Sequence, residues 1–221
     1  MRIMIVAPHP DDETLGCGGS LFRHKKKGDE IYWLIVTGID ENFELDKDKT
    51  DARDNEIKII SEKYNFNKVF SLNYPTTKLD TIHMSDLIQN FSDINNQIEP
   101  EIIYIPFAND VHTDHQIISK AMQSTIKWFR YPFIKKVMMY ETPSETEFNF
   151  IGPSFFQPNV FINISNYIDK KIEAMKIYES EMNDFPFPRS EKTIRSLAAF
   201  RGSQSGYEAA EAFQLIFERR S

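Results

Sequence analysis

Three stretches of this chain are short, unbroken apolar runs: residues 3–7, 31–37 and 102–107. A strand with one wet face alternates apolar and polar side chains. A run without alternation belongs to a sheet covered on both faces, which is the pattern of parallel sheets flanked by helices. The intervening segments fit that arrangement. Residues 16–27 read as a helix ended by Gly28, with Gly16, Gly18 and Gly19 forming a turn into it. Helices are expected over 51–64, 81–98 and 116–129, and strands over 68–72 and 136–141. Strand–helix alternation of this kind implies right-handed crossovers and an α/β fold with a mostly parallel sheet.

The alternation weakens after residue 142. Residues 142–158, rich in Pro, Ser, Phe and Glu, read as a long loop, either a plain surface loop or a lid on a pocket. A strand over 159–164, a helix over 166–182, a rigid turn at 185–188, a last helix and the apolar segment 213–217 close the chain. With no repeat and no linker, residues 1–221 are expected to form one domain.

Two of the apolar runs lead straight into clusters of His and Asp. The first run is followed by Pro8-His9-Pro10-Asp11-Asp12-Glu13, and the third by Asn109-Asp110-Val111-His112-Thr113-Asp114-His115. Three of the five histidines fall in these clusters, while His24 and His83 lie on expected helices and read as surface residues. In open α/β sheets ligands bind beyond the carboxyl ends of strands. If the two strands are neighbours, both clusters share one edge. Two His and one carboxylate around an ion, with an open position, is the pattern of a catalytic zinc. His9, Asp12 and His115 are therefore the expected ligands. Asp11 is placed to take a proton from an activated water. His112, as an imidazolium, would stabilise an oxyanion or protonate a leaving amine, with Asp114 holding its ring. The same residues also suit turns and helix caps.

Composition narrows the partners. Net charge is −7 and the longest basic run is Lys25-Lys26-Lys27, which argues against nucleic acid. No apolar stretch reaches the ~18 residues of a membrane span. A single cysteine, Cys17, excludes an internal disulfide, and together with the short N-terminal apolar run it points to a reducing cytoplasm.

The paired motifs, Pro8 to Glu13 and His112-Thr113-Asp114-His115, resemble the signature of the PIG-L/LmbE-like zinc-dependent N-deacetylases. Arg53 and Glu56 match an Arg-x-x-Glu, and the segments around Lys171, Tyr178, Arg201-Gly202 and Glu211-Ala212-Phe213 are similar to that family's C-terminal half. The resemblance implies a Rossmann-like three-layer sandwich and zinc on His9, Asp12 and His115. It also implies Asp11 as general base, His112 as electrophile and Arg53 near a small acetamido-sugar substrate. Two positions depart from the pattern: Thr113 stands where proline is common, and Phe187 where many relatives carry histidine. The ligands do not select zinc over other divalent metals. A metal-dependent hydratase or other hydrolase on a small carboxylate substrate, and a metal or glycan binder without turnover, are the alternative functions. Substrate and oligomeric state, a homo-oligomer included, are left open. The acidic segment 40–51 and the loop 142–158 are the expected pocket walls, and Phe148, Phe150, Phe155 and Phe156 are expected either to stack on a sugar or to pack half-buried.

Overall fold

The computed structural model describes residues 1–38, 47–151 and 154–220. In chain order its elements are β1 (Arg2–Ala7), α1 (Asp12–Lys27), β2 (Glu30–Gly38), α2 (Lys47–Tyr64), β3 (Lys68–Pro75), α3 (Met84–Ile98), β4 (Ile102–Pro106) and α4 (Thr113–Gln123). Then follow β5 (Lys136–Tyr140), β6 (Val160–Asn163), α5 (Ile168–Met175), α6 (Glu191–Ser205) and β7 (Ala210–Glu218).

The sheet runs β3-β2-β1-β4-β5-β7-β6. The pairs β1–β2, β2–β3, β1–β4 and β4–β5 are parallel, and β7 is antiparallel to both its neighbours. The sequence therefore foretells the mostly parallel sheet correctly. Chain order reverses at β1: two strands are added on one side, and β4 then docks on the other, with Ile3 beside Ile102. Such a switch point leaves a crevice at the carboxyl ends of the two strands. It is the reason the two His/Asp clusters meet.

Each apolar run serves two cores because successive side chains point to opposite faces. Ile3, Ile5, Ala7, Trp33 and Ile35 pack with α1, α5 and Tyr64 of α2 on one face. Met4, Val6, Leu34, Val36, Ile103 and Ile105 pack with α3 and α4 on the other. The result is the expected three layers.

Several boundaries differ from the sequence reading, each for a local reason. Helix α1 begins at Asp12 rather than at residue 16, because the Thr14 and Leu15 N–H groups donate to the Asp11 carbonyl at 3.0 and 2.9 Å. Its glycines thus lie inside the helix. A Cβ on Gly16 would stand 2.2 Å from Tyr140 Cδ2, and one on Gly19 2.6 Å from Ile164 Cγ2. These glycines let α1 approach the sheet closely. Helix α4 starts at Thr113 and stops at Gln123, where the Thr125 hydroxyl donates to the Met122 carbonyl at 2.9 Å. Trp128 and Phe129 consequently lie beyond it, exposed. Helix α2 already includes residues 47–51 of the expected acidic loop, and residues 40–46 of that loop lie outside the described residues. The expected helix over 166–182 is α5 followed by a short 3-10 turn, Glu179–Glu181.

His24 is a correction of another kind. It is buried, not at the surface, with Nδ1 2.7 Å from Asp29 Oδ2 and Nε2 2.9 Å from the Tyr104 hydroxyl. Its place on an expected helix suggested a surface residue, but Tyr104 of β4 supplies a buried partner. His83 is exposed at the residue preceding α3.

Candidate metal centre

Beyond β1 the chain turns sharply. Asp11 has φ 147°, a region that L residues rarely occupy, and such backbone costs about 1–3 kcal/mol. The turn is held from three directions. The Asp11 N–H donates to Glu13 Oε2 at 3.1 Å, its carbonyl takes the first bonds of α1, and Glu13 Oε1 accepts from the Thr14 and Tyr178 hydroxyls at 2.5 and 2.8 Å. Glu13 thus supports the loop rather than facing the site, and burial pushes its carboxyl up to about 7.

The strain aims Asp12 inward. Its Oδ2 lies 3.2 Å from His9 Nδ1 and 3.4 Å from His115 Nε2, and accepts the His9 N–H at 2.8 Å. His115 is fully buried on the first turn of α4, and its Nδ1 is 2.8 Å from Asp110 Oδ2. That bond fixes the ring and leaves Nε2 in the interior without a well-formed hydrogen bond, 3.4 Å from Asp12 Oδ2. A buried nitrogen without such a bond is costly unless something binds it. One donor atom each from His9, Asp12 and His115 falls within a 4.8 Å cluster, so the three sequence-expected ligands come together. A second trio, His9, His112 and Asp114, also clusters. Two of its polar atoms are engaged within the protein: Asp114 Oδ2 accepts the Thr77 N–H at 2.8 Å and His112 Nδ1 accepts the Asp114 N–H at 3.1 Å.

The electrostatics suit a cation. Burial alone would lower both imidazoles, yet bonding to Asp114 and Asp12 raises His9 to about 9. The Asp12 charge and the bonds to Asp110 and Asp12 likewise raise His115 to about 10. Burial would lift Asp12, but His115 and His9 hold it well below the usual carboxylate range. The first-row divalent ions match this donor set.

Two expected roles change. Asp114 does not hold His112 through its carboxylate. Its Oδ2 is 4.0 Å from His112 Nδ1 but 3.2 Å from His9 Nε2, so it orients His9. His112 is the N-cap of α4, and a nitrogen that accepts an N–H carries a lone pair. Its proton therefore sits on Nε2. Burial and the neighbouring His9 and His115 lower its pKa to about 4. This arrangement favours a neutral His112 that offers an N–H over an imidazolium.

These groups open into a cavity of about 1350 Å³. Asp11 is buried on its wall; burial and the adjacent Asp12 push its carboxyl up, and Arg189 pulls it back. Arg53 also lines the cavity, but its guanidinium is engaged. Nη1 donates to the Pro10 carbonyl at 3.1 Å and Nη2 pairs with Glu181 at 2.7 Å. Phe148, Phe150, Phe155 and Phe156 do not line it: Phe156 packs half-buried, edge-on to Phe107, and the other three are exposed. The 142–158 loop contributes Glu145 to the cavity wall, and its Thr146 hydroxyl donates to Asp110 Oδ1 at 2.7 Å. Asp110, Glu181 and Arg189 escaped the sequence assignment. Only Asp110 carries a local signal, five residues before His115 at a strand end.

Comparisons with known proteins agree with this geometry. The profile of the PIG-L family, described as GlcNAc-PI de-N-acetylase, matches residues 4–126. An uncharacterised deacetylase of Escherichia coli, YaiS, is 28% identical over 80% of this chain and 90% of its own length. The N,N'-diacetylchitobiose deacetylase of Pyrococcus horikoshii shares the fold with a TM-score of 0.78, at 18% identity over 97% of this chain and 83% of that one. GalB, the 4-carboxy-2-hydroxymuconate hydratase of Pseudomonas putida, has a TM-score of 0.75 at 18% identity, covering 100% of this chain and 98% of its own.

Proposed function

The chain belongs to the PIG-L family, and on that premise we propose that it is a metal-dependent N-deacetylase that releases acetate from a small acetamido sugar. The observation that carries the reading is the convergence of His9, Asp12 and the buried Nε2 of His115 beside the carboxylate of Asp11. His9, Asp12 and His115 would hold the ion, zinc in our reading. When bound, it supplies Lewis acidity at the amide carbonyl and makes a nearby water more acidic.

The protein's own groups do the rest. Asp11 accepts the proton of the attacking water. The Nε2–H of His112 donates to the oxygen that becomes negative as water adds to the amide carbon. Asp11 then returns the proton to the amine nitrogen, the C–N bond breaks, and acetate and the free amino sugar leave. Asp114 and Asp110 keep the His9 and His115 rings in their tautomers. Arg53 shapes the wall through Pro10 and Glu181.

The hydratase reading rests on the fold that GalB shares, and fold does not determine function. A screen of acetamido sugars for acetate release, with a chelator control, separates the two. Asp11→Asn should retain metal and lose turnover. Full activity in that variant, or hydration without acetate release, would overturn the assignment. Among the described residues no helix is long and apolar enough to cross a membrane. We place the enzyme in the cytoplasm on its single, buried, unpaired Cys17.

A further inference from the structure

Arg189 reaches the site from the segment between the Glu179–Glu181 turn and α6, 178 residues after Asp11. Its Nη1 donates to Asp11 Oδ2 at 2.9 Å and to Glu181 Oε2 at 2.7 Å. Nε donates to the Ser144 hydroxyl at 2.9 Å, and Nη2 lies 3.5 Å from Glu145 Oε1. Glu181 is itself held by Arg53 at 2.7 Å through Oε1. The guanidinium is thus fixed from three sides before it meets Asp11. No described residue hydrogen-bonds Asp11 Oδ1.

We propose that Arg189 is the positioning residue of the general base: it clamps Asp11 Oδ2 and so dedicates Oδ1 to the water. The inference rests on the deacetylase reading, in which Asp11 takes the proton. A carboxylate free to rotate would present either oxygen at varying angles, and small misplacements of a reacting group are expensive in rate. A planar guanidinium with several donors fixes orientation better than an ammonium does. The clamp also ties catalysis to the docking of a segment whose Asn183, Asp184, Phe185 and Pro186 are exposed.

The test uses Arg189→Gln and Arg189→Lys in the metal-loaded full chain, with melting temperature and metal content checked. Arg189→Gln should lower kcat by about 10²-fold with KM little changed, and Arg189→Lys should recover part of the loss. An unchanged kcat would overturn the proposal, as would a loss confined to KM, which would make Arg189 a substrate contact. Hydrogen exchange supplies a readout without substrate. Both Arg189→Gln and Asp11→Asn should speed exchange across residues 183–190, and unchanged exchange in both would remove the clamp. If the wild-type chain hydrolyses no acetamido sugar, the deacetylase reading fails, while the exchange comparison still decides the contact.

Discussion

Replacing Lys171 by Met should cost this protein more stability than any surface charge change. Lys171 Nζ lies 2.7 Å from Glu211 Oε1 and donates to the Leu15 carbonyl at 2.7 Å. Glu211 also accepts the N–H groups of Gly19 and Ser20, each at 2.8 Å. Leu15 and Gly19 are i and i+4 partners in α1, so the ion pair joins that helix, α5 and β7 at one turn. Both residues are only 5% exposed. Removing the ammonium leaves a buried carboxylate with two neutral donors and no counter-charge. Breaking a buried pair this way costs about 3–5 kcal/mol. At about 2–4 °C per kcal/mol for a domain of this size, the melting temperature should fall by about 6–20 °C. The internal control is Lys63→Met, whose partner Glu173 is 65% exposed at 3.3 Å; its loss should stay under ~1 kcal/mol. Thermal unfolding followed by circular dichroism compares the two. If Lys171→Met melts within 2 °C of wild type, or no lower than Lys63→Met, the buried pair is not the tie argued for here.

Three further outcomes are expected. Gly16→Ala would place a methyl 2.2 Å from the Tyr140 ring and disturb the 2.9 Å bond from its hydroxyl to the Val6 carbonyl. Chemical denaturation should show a loss of about 1–3 kcal/mol, and an unchanged midpoint would mean that α1 shifts freely. Metal binding to the metal-free protein at pH 7 displaces protons from His9 and His115, which stand at about 9 and about 10. Calorimetry in two buffers of different ionisation enthalpy should report release of about two protons, and zero release would contradict the assigned ligands. Burial lowers the pKa of His24, so the unfolded chain binds its proton more readily. Its contribution to stability is therefore complete above pH 6.5 and is lost as pH falls below it. His24→Gln should be less stable at pH 7.5 yet decline less between pH 6.5 and 5.5 in urea unfolding; parallel declines would count against that linkage.

The sequence by itself determined the layer architecture and which side chains gather in the candidate metal cluster. Unbroken apolar runs fix a sheet buried on both faces, and the His/Asp clusters are local strings attached to strand ends, so both are legible without coordinates. Helix ends were less so: α1 and α4 are set by single carbonyls and hydroxyls, which periodicity does not record. Only the tertiary structure decided which carboxylate serves which imidazole. Asp114 is two residues from His112 and 105 from His9, yet its Oδ2 lies 3.2 Å from His9 and 4.0 Å from His112, because the turn into α4 aims it across the crevice. Likewise Arg189 reaches Asp11 only because a late segment packs over the switch point, and the phenylalanines of 148–156 miss the cavity although Glu145 of the same loop lines it. Hydrophobic periodicity is a property of neighbours along the chain. Which polar atoms face one another is a property of how the layers are stacked.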